Sequence, residues 1–100
     1  MFSHLDPPMF ILVQIDISKA DLALLDAYEA QVLPLLAPHG AQLIERLRTV
    51  DGNSETHLLH FPDADALDAF RADPARMALQ HMWLRCGASS TLTEVVRFDP

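Results

Sequence analysis

The chain has 100 residues, half of them hydrophobic, with 14 acidic against seven basic side chains and a formal charge of −7. So large an excess of acid, with no cluster of Lys or Arg, would repel a phosphate backbone, and nucleic acid is not expected as a partner. A lone cysteine allows no intrachain disulfide, no run approaches the ~18 apolar residues of a membrane span, and the opening MFSHLDPP lacks the regions of a secretion signal. A cytoplasmic protein without membrane association is therefore expected.

Residues 1–8 read as an N-terminal tail closed by Pro7 and Pro8, and residues 9–100 as one domain. Met9 to Ile17 (MFILVQIDI) predicts a strand whose first half, Phe10 to Val13, is apolar on both faces, so both faces are covered. Ser18 with Asp21 has capping-box spacing, and Ile17 with Leu22 has the spacing of a hydrophobic staple, which predicts a helix opening at Ser18. Leu22, Leu25, Tyr28, Val32, Leu33 and Leu36 form its inner stripe, with Asp21, Asp26, Glu29 and Gln31 mostly outside. Pro34 should bend this helix, and His39-Gly40 ends it.

Ala41 to Thr49 alternates less cleanly and, with three charges, suits a sheet edge. Asp51-Gly52-Asn53 signals a hairpin, and Thr56 to Phe61 returns as a strand. Pro62 stops it, and Asp63 caps a second helix through Leu67 and Phe70. Asp73-Pro74 breaks that helix and restarts it as Pro74 to Cys86, and Ser89 to Phe98 is the last strand after Gly87.

The order β-α-β-β-α-β is the split βαβ, or ferredoxin-like, arrangement: an α+β fold with a four-stranded antiparallel sheet and two helices on one face. The first strand makes the other face apolar as well, at Phe10 and Leu12. An exposed apolar sheet face of that size is not tolerated in a monomer, so a homodimer with the sheets face to face is expected.

The spacing YxxxVxPLLxxHGxxLxxR from Tyr28 to Arg46, FPD at Phe61 to Asp63 and AFRADP at Ala69 to Pro74 together resemble the dimeric α/β-barrel proteins. Within that superfamily the chain is most similar to small uncharacterised domains related to the NIPSNAP and antibiotic-biosynthesis-monooxygenase groups, over about residues 9 to 98. The resemblance implies a homodimeric barrel with a cavity and no obligatory cofactor. Activities in the superfamily include cofactor-free oxygenation of aromatic polyketides, haem degradation and lactone isomerisation. No motif here selects one of them, so no catalytic residue carries over.

His57 and His60 are the most suggestive pair of side chains, but their odd separation on a strand points them to opposite faces, and HExxH and CxxC elements are absent. No metal site is expected. His60, with Leu58, falls on the inter-sheet face, as a ligand-binding residue or an interface histidine; His57, near the strand's start, reads as a rim residue. A two-residue turn at Asp51-Gly52 pairs Glu45 with Leu58 and sends Glu45 toward His60, whereas a three-residue loop sends Arg46 there; the spacing of the resemblance tilts the choice to Arg46. Gln14 would give the inter-sheet face a polar end that could orient a ligand, and Tyr28 lies on the helix's inner stripe with its hydroxyl at the pocket edge.

Two functions are consistent with these features. One is a homodimer binding a small organic molecule, with cofactor-independent oxygenation or isomerisation as its chemistry. The other is a non-catalytic binding or interaction module whose barrel interior is filled by the dimer interface.

Overall fold

A computed structural model describes residues 8–100; the expected tail lies almost wholly outside the described residues. Four strands, β1 (Met9–Asp16), β2 (Gln42–Arg48), β3 (Ser54–Phe61) and β4 (Ser89–Val95), form one antiparallel sheet in the order β2-β3-β1-β4. Helices α1 (Leu22–Val32), α2 (Ala64–Arg71), α3 (Pro74–Met77) and α4 (Gln80–Cys86) complete the α+β fold, with a 3-10 segment, Leu33–His39, continuing α1. This is the ferredoxin-like order expected from the sequence.

Several boundaries differ for identifiable reasons. Helix α1 starts at Leu22, not Ser18, because Asp16 Oδ1 takes both the Ser18 N–H (2.9 Å) and the Ser18 hydroxyl (2.6 Å) into a turn. Asp21 is then the cap and accepts from the Leu24 N–H at 3.2 Å. Ile17 is buried while Leu22 is exposed, so the two form no staple. Pro34 does end the regular α-helix, whose continuation tightens to 3-10, and Gly40 closes it with φ 70°. The restarted helix is further split at Leu79 into α3 and α4, and β4 stops at Val95 rather than Phe98. Asp63 and Asp73 cap α2 and α3 as expected, accepting from Ala66 N–H (2.8 Å) and Ala75 N–H (2.9 Å).

The hairpin between β2 and β3 is wider than two residues. Thr49 N–H donates to Ser54 O at 2.9 Å, and Asp51 Oδ1 accepts from the Thr49 hydroxyl and the Asn53 N–H inside the loop. Even so, its register is that of the two-residue alternative: Glu45 pairs with Leu58 and Arg46 with His57. A bulge between Leu43 and Glu45 accounts for the poor alternation of β2. Because of the extra residue, Leu43, paired with Leu59, and Arg46, paired with His57, lie on the same face although three positions apart.

The helix-covered face holds the core, and it is built in two parts. Ile11, Val32, Leu36, Ala41, Leu59, Phe61 and Phe70 form one cluster; Ile15, Ile17, Leu25 and Cys86 form the other, and Val13 touches both. The opposite face of the sheet has no helix, and Phe10, Leu12 and Leu58 share it with exposed Leu47.

Phe61 is fully buried and packs on Phe70 with ring centroids 5.8 Å apart. Phe61→Ala should lower the unfolding free energy by about 3–5 kcal/mol in urea denaturation. A loss under about 1 kcal/mol, the size of an ordinary surface change, would contradict this account of the core.

Candidate active site

Strand β3 presents Glu55, His57, Leu59 and Phe61 to the helices, and all four are buried. Two of the four are ionisable, which an apolar core does not admit unless they are paired. The partners come from β2 and α1. Arg48 lies opposite Glu55 and Arg46 opposite His57 in the β2–β3 ladder, while Asp26 and Glu29, one turn apart on α1, lie above them. Glu29 belongs to the inner stripe, four residues after Leu25 and three before Val32, and is only 2 % exposed, which corrects its expected outer position.

Each carboxylate is held by a cation. Arg46 Nη2 donates to Glu29 Oε1 at 2.6 Å, and Arg48 donates to Glu55 Oε1 from Nη2 (2.6 Å) and Nε (3.0 Å). His57 Nε2 lies 2.5 Å from Glu55 Oε2 and 3.1 Å from Glu29 Oε2. The second contact is off the hydrogen-bonding axis, and Glu29 Oε2 is a buried oxygen with no hydrogen bond of its own. Asp26 closes the outer side, 3.3 Å from Arg48 and 3.9 Å from Arg46. Three acids thus face Arg46, Arg48 and His57, and protonation of the imidazole brings the group to neutrality.

Burial pushes the His57 pKa down, but the hydrogen bond to Glu55 and the negative charge of Glu29 and Glu55 outweigh it, and the net shift is upward from 6.5. Burial likewise pushes Glu55 up, and the hydrogen bonds from Arg48 and His57 overcome it, drawing Glu55 from 4.5 down to about 2. Among the described residues, His57 Nδ1 has no hydrogen-bond partner. A carboxylate-bound Nε2–H fixes the tautomer, so the neutral ring offers its lone pair at Nδ1.

His57 also lines a cavity of about 210 Å³ between sheet and helices, in the seam between the two parts of the core. Tyr28 and Trp83, ring centroids 5.5 Å apart, form one wall, and Val13, Val32, Leu59 and Phe70 contribute apolar surface. Arg76 and Gln80 add polar groups from α3 and α4. Tyr28 is half-buried, and burial raises its hydroxyl pKa against the opposing charge of Arg76. Glu29 lines this cavity and also an open groove of about 700 Å³ on the outer side, bordered by Asp26, Arg46, Arg48 and Glu55.

The residues singled out from the sequence divide between the two faces. Tyr28 and Arg46 belong to the His57 side; Arg46 points to the helices and not toward His60, because the hairpin register is the one that pairs Glu45 with Leu58. His57 is no rim residue: β3 begins at Ser54, which sets His57 one full alternation inside the strand. His60, Glu45 and Gln14 lie on the open face. His60 meets Phe10 edge-on with centroids 5.2 Å apart, Glu45 is exposed, and Gln14 borders a polar groove with Asp16, Ser54 and Thr91. Glu29, Glu55 and Arg48 were not singled out; the alternation Glu55-His57-Leu59-Phe61 is the pattern that marks them.

Glu29, Glu55 and His57 offer ligand atoms within 4.8 Å of one another, a spacing that could admit a metal ion. Arg46 and Arg48 already occupy the same carboxylates, however, and a divalent ion would bring excess positive charge into a group that a single proton neutralises.

No protein-family model matches the chain, and no curated protein does. Solved structures match its fold. SnoaB, a cofactor-independent oxygenase from Streptomyces nogalater, superimposes with a TM-score of 0.78 at 14% identity, over 94% of this chain and 96% of that one. A protein of unknown function from Rhodopseudomonas palustris gives 0.76 at 14% identity, over 95% and 85%. A NIPSNAP family protein of unknown function from Agrobacterium tumefaciens gives 0.63 at 20% identity, over 92% of each chain. The chain therefore has the ferredoxin-like fold that these structures share.

The shifts at His57 and Glu55 set the pH dependence of stability. The raised pKa of His57 contributes stability that is complete below 6.5 and is lost as pH rises through the folded value. The lowered pKa of Glu55 contributes stability that is complete above 4.5 and is lost as pH falls toward 2. Thermal melts should therefore place the cluster's greatest contribution between about pH 4.5 and 6.5, and His57→Gln should flatten the decline above it. Equal slopes above pH 6.5 in wild type and variant would exclude His57 as the source.

Proposed function

We propose that this chain is a cofactor-independent acid–base enzyme that deprotonates a small organic molecule bound between its sheet and helices, with His57 as the base. The observation that carries this reading is the buried His57–Glu55–Glu29 contact at the wall of the cavity. A carboxylate behind an imidazole holds its tautomer and stabilises the imidazolium formed when the ring takes a proton, the logic of a histidine–aspartate pair in hydrolases. In this step a C–H or O–H bond of the ligand breaks, an N–H bond forms at Nδ1, and the electron pair stays on the ligand. Reprotonation at another atom would give isomerisation; reaction of the carbanion with dioxygen as co-substrate would give oxygenation. That the similarly folded SnoaB is a cofactor-independent oxygenase supports the second course by analogy of fold alone.

The chain is further proposed to work as a homodimer through the uncovered sheet face, supported by the apolar side chains Phe10, Leu12, Leu47 and Leu58 there. Such a pairing would leave the cavity unfilled, since it lies on the other side of the sheet, and this weighs against a module whose interior is closed by its partner. Light scattering at micromolar concentration should give the mass of two chains, and Leu58→Asp should give one. A wild-type monomer would overturn the dimer.

Activity can be sought as dioxygen uptake or isomerisation over a panel of small phenols, hydroquinones and lactones. His57→Gln should reduce kcat/KM by roughly 10²–10⁴-fold. The wild-type value should rise with pH through a midpoint above 6.5, because the base acts in its neutral form. A variant active to within a few-fold of wild type, or a panel with no turnover at all, would count against His57 as the base.

A further inference from the structure

Among the described residues, Arg46 and Arg48 are the two of the seven Lys and Arg side chains that stand in ion pairs, on Glu29 and Glu55, and His39 lies 2.7 Å from Asp73. Of the other five, Arg76 is the one that lines the cavity. It is half-buried, its guanidinium sits over the Phe70 ring at 5.4 Å, and Nη1 donates to the Arg71 carbonyl at 3.2 Å. Among the described residues no carboxylate lies within 4.0 Å of it, in a chain with twice as many acids as bases. A guanidinium has five N–H donors in a planar fork, so most of its capacity is available to a ligand.

We propose that the cavity takes a single-ring organic carboxylate, with the carboxylate on Arg76 and the ring against Tyr28 and Trp83. The inference rests on the cavity being the ligand site of the preceding reading and names its substrate class. Size limits the ring count: a cavity of ~150 Å³ accommodates benzene, so about 210 Å³ suits one substituted ring and excludes a fused polycycle. Charge limits the head group. Glu29, the acid in the cavity lining, is already paired with Arg46, so Arg76 offers one uncompensated positive charge, which a monoanion neutralises. A dianion would leave a buried charge unpaired. Val13, Val32 and Leu59 meet most of the ring with hydrocarbon, while His57, Gln80 and Ser90 leave polar groups for one ring substituent besides the carboxylate.

Trp83 is the chain's one tryptophan and lines the cavity, so its fluorescence reports occupancy without turnover. The full-length protein is titrated with benzoate and with benzamide, a neutral compound of the same shape. Benzoate should bind at least tenfold more tightly. Arg76→Gln should abolish that preference while leaving benzamide affinity unchanged, and Arg76→Lys should keep part of it. Equal affinities in wild type, a preference that survives in Arg76→Gln, or no saturable binding by either compound would each overturn the assignment. Should Arg76→Gln fail to fold by circular dichroism, the wild-type ratio and Arg76→Lys still decide it. His57→Gln separates the two proposals. A retained benzoate-over-benzamide preference with unchanged turnover in that variant refutes the base and leaves the carboxylate site standing. Lost turnover in His57→Gln without any benzoate preference in wild type does the reverse.

Discussion

Two carboxylates, Glu29 and Glu55, are buried in the core of a chain of only 100 residues, and much of the architecture serves to keep them charged there. Moving an ion out of water costs several kcal/mol even in a relaxed protein, and removing one partner of a buried pair leaves that penalty uncompensated. The compensation is assembled from two strands: Arg46 and Arg48 on β2 and His57 on β3. It therefore depends on register. A one-residue slip of β2 would turn both arginines to the open face and strand the carboxylates, so the ion cluster selects a single β2–β3 pairing as strongly as any apolar contact could.

The same cluster interrupts the core. With Glu29 and His57 between them, the Phe61 and Leu25 groups of apolar residues do not merge, and the seam holds the cavity. Protein interiors are otherwise close-packed, and a small domain has little packing to give up. A void bordered by a carboxylate-bound histidine, a half-buried arginine and two aromatic rings is what a binding site requires and what a stability-optimised core would exclude. The fold itself decides none of this: SnoaB and proteins of unknown function share it.

The fold was legible because its signals are local. The Asp caps at Asp63 and Asp73, the glycine at Gly40, the hairpin at Asp51-Gly52 and the apolar strand from Phe10 to Val13 each act within a few residues and together specify β-α-β-β-α-β. The opening of α1 was misread because Ser18 has two uses for its hydroxyl, and Asp16 captures it before the helix can. The site was less legible, because its meaning is non-local. Glu29 is polar, so composition sends it outside, while its spacing from Leu25 and Val32 sends it inside; the spacing prevails because arginines from a different strand are there to meet it. His57 looked peripheral only because β3 was started two residues late, at Thr56 rather than Ser54, which removed Glu55 from the strand. The choice between Glu45 and Arg46 could not be made from the turn residues, since a four-residue loop and a two-residue loop produce the same register, and the bulge before Glu45 has no local marker.

The ion cluster, the cavity and the proposed chemistry meet at one imidazole, His57. Nitrogen-15 NMR of the His57 ring through a pH titration measures its tautomer and its pKa together. The account predicts a neutral form protonated at Nε2, with Nδ1 unprotonated, and a pKa above 6.5 that falls in Glu55→Gln. A neutral ring protonated at Nδ1, or a pKa below 6.5 that Glu55→Gln leaves unmoved, would contradict it.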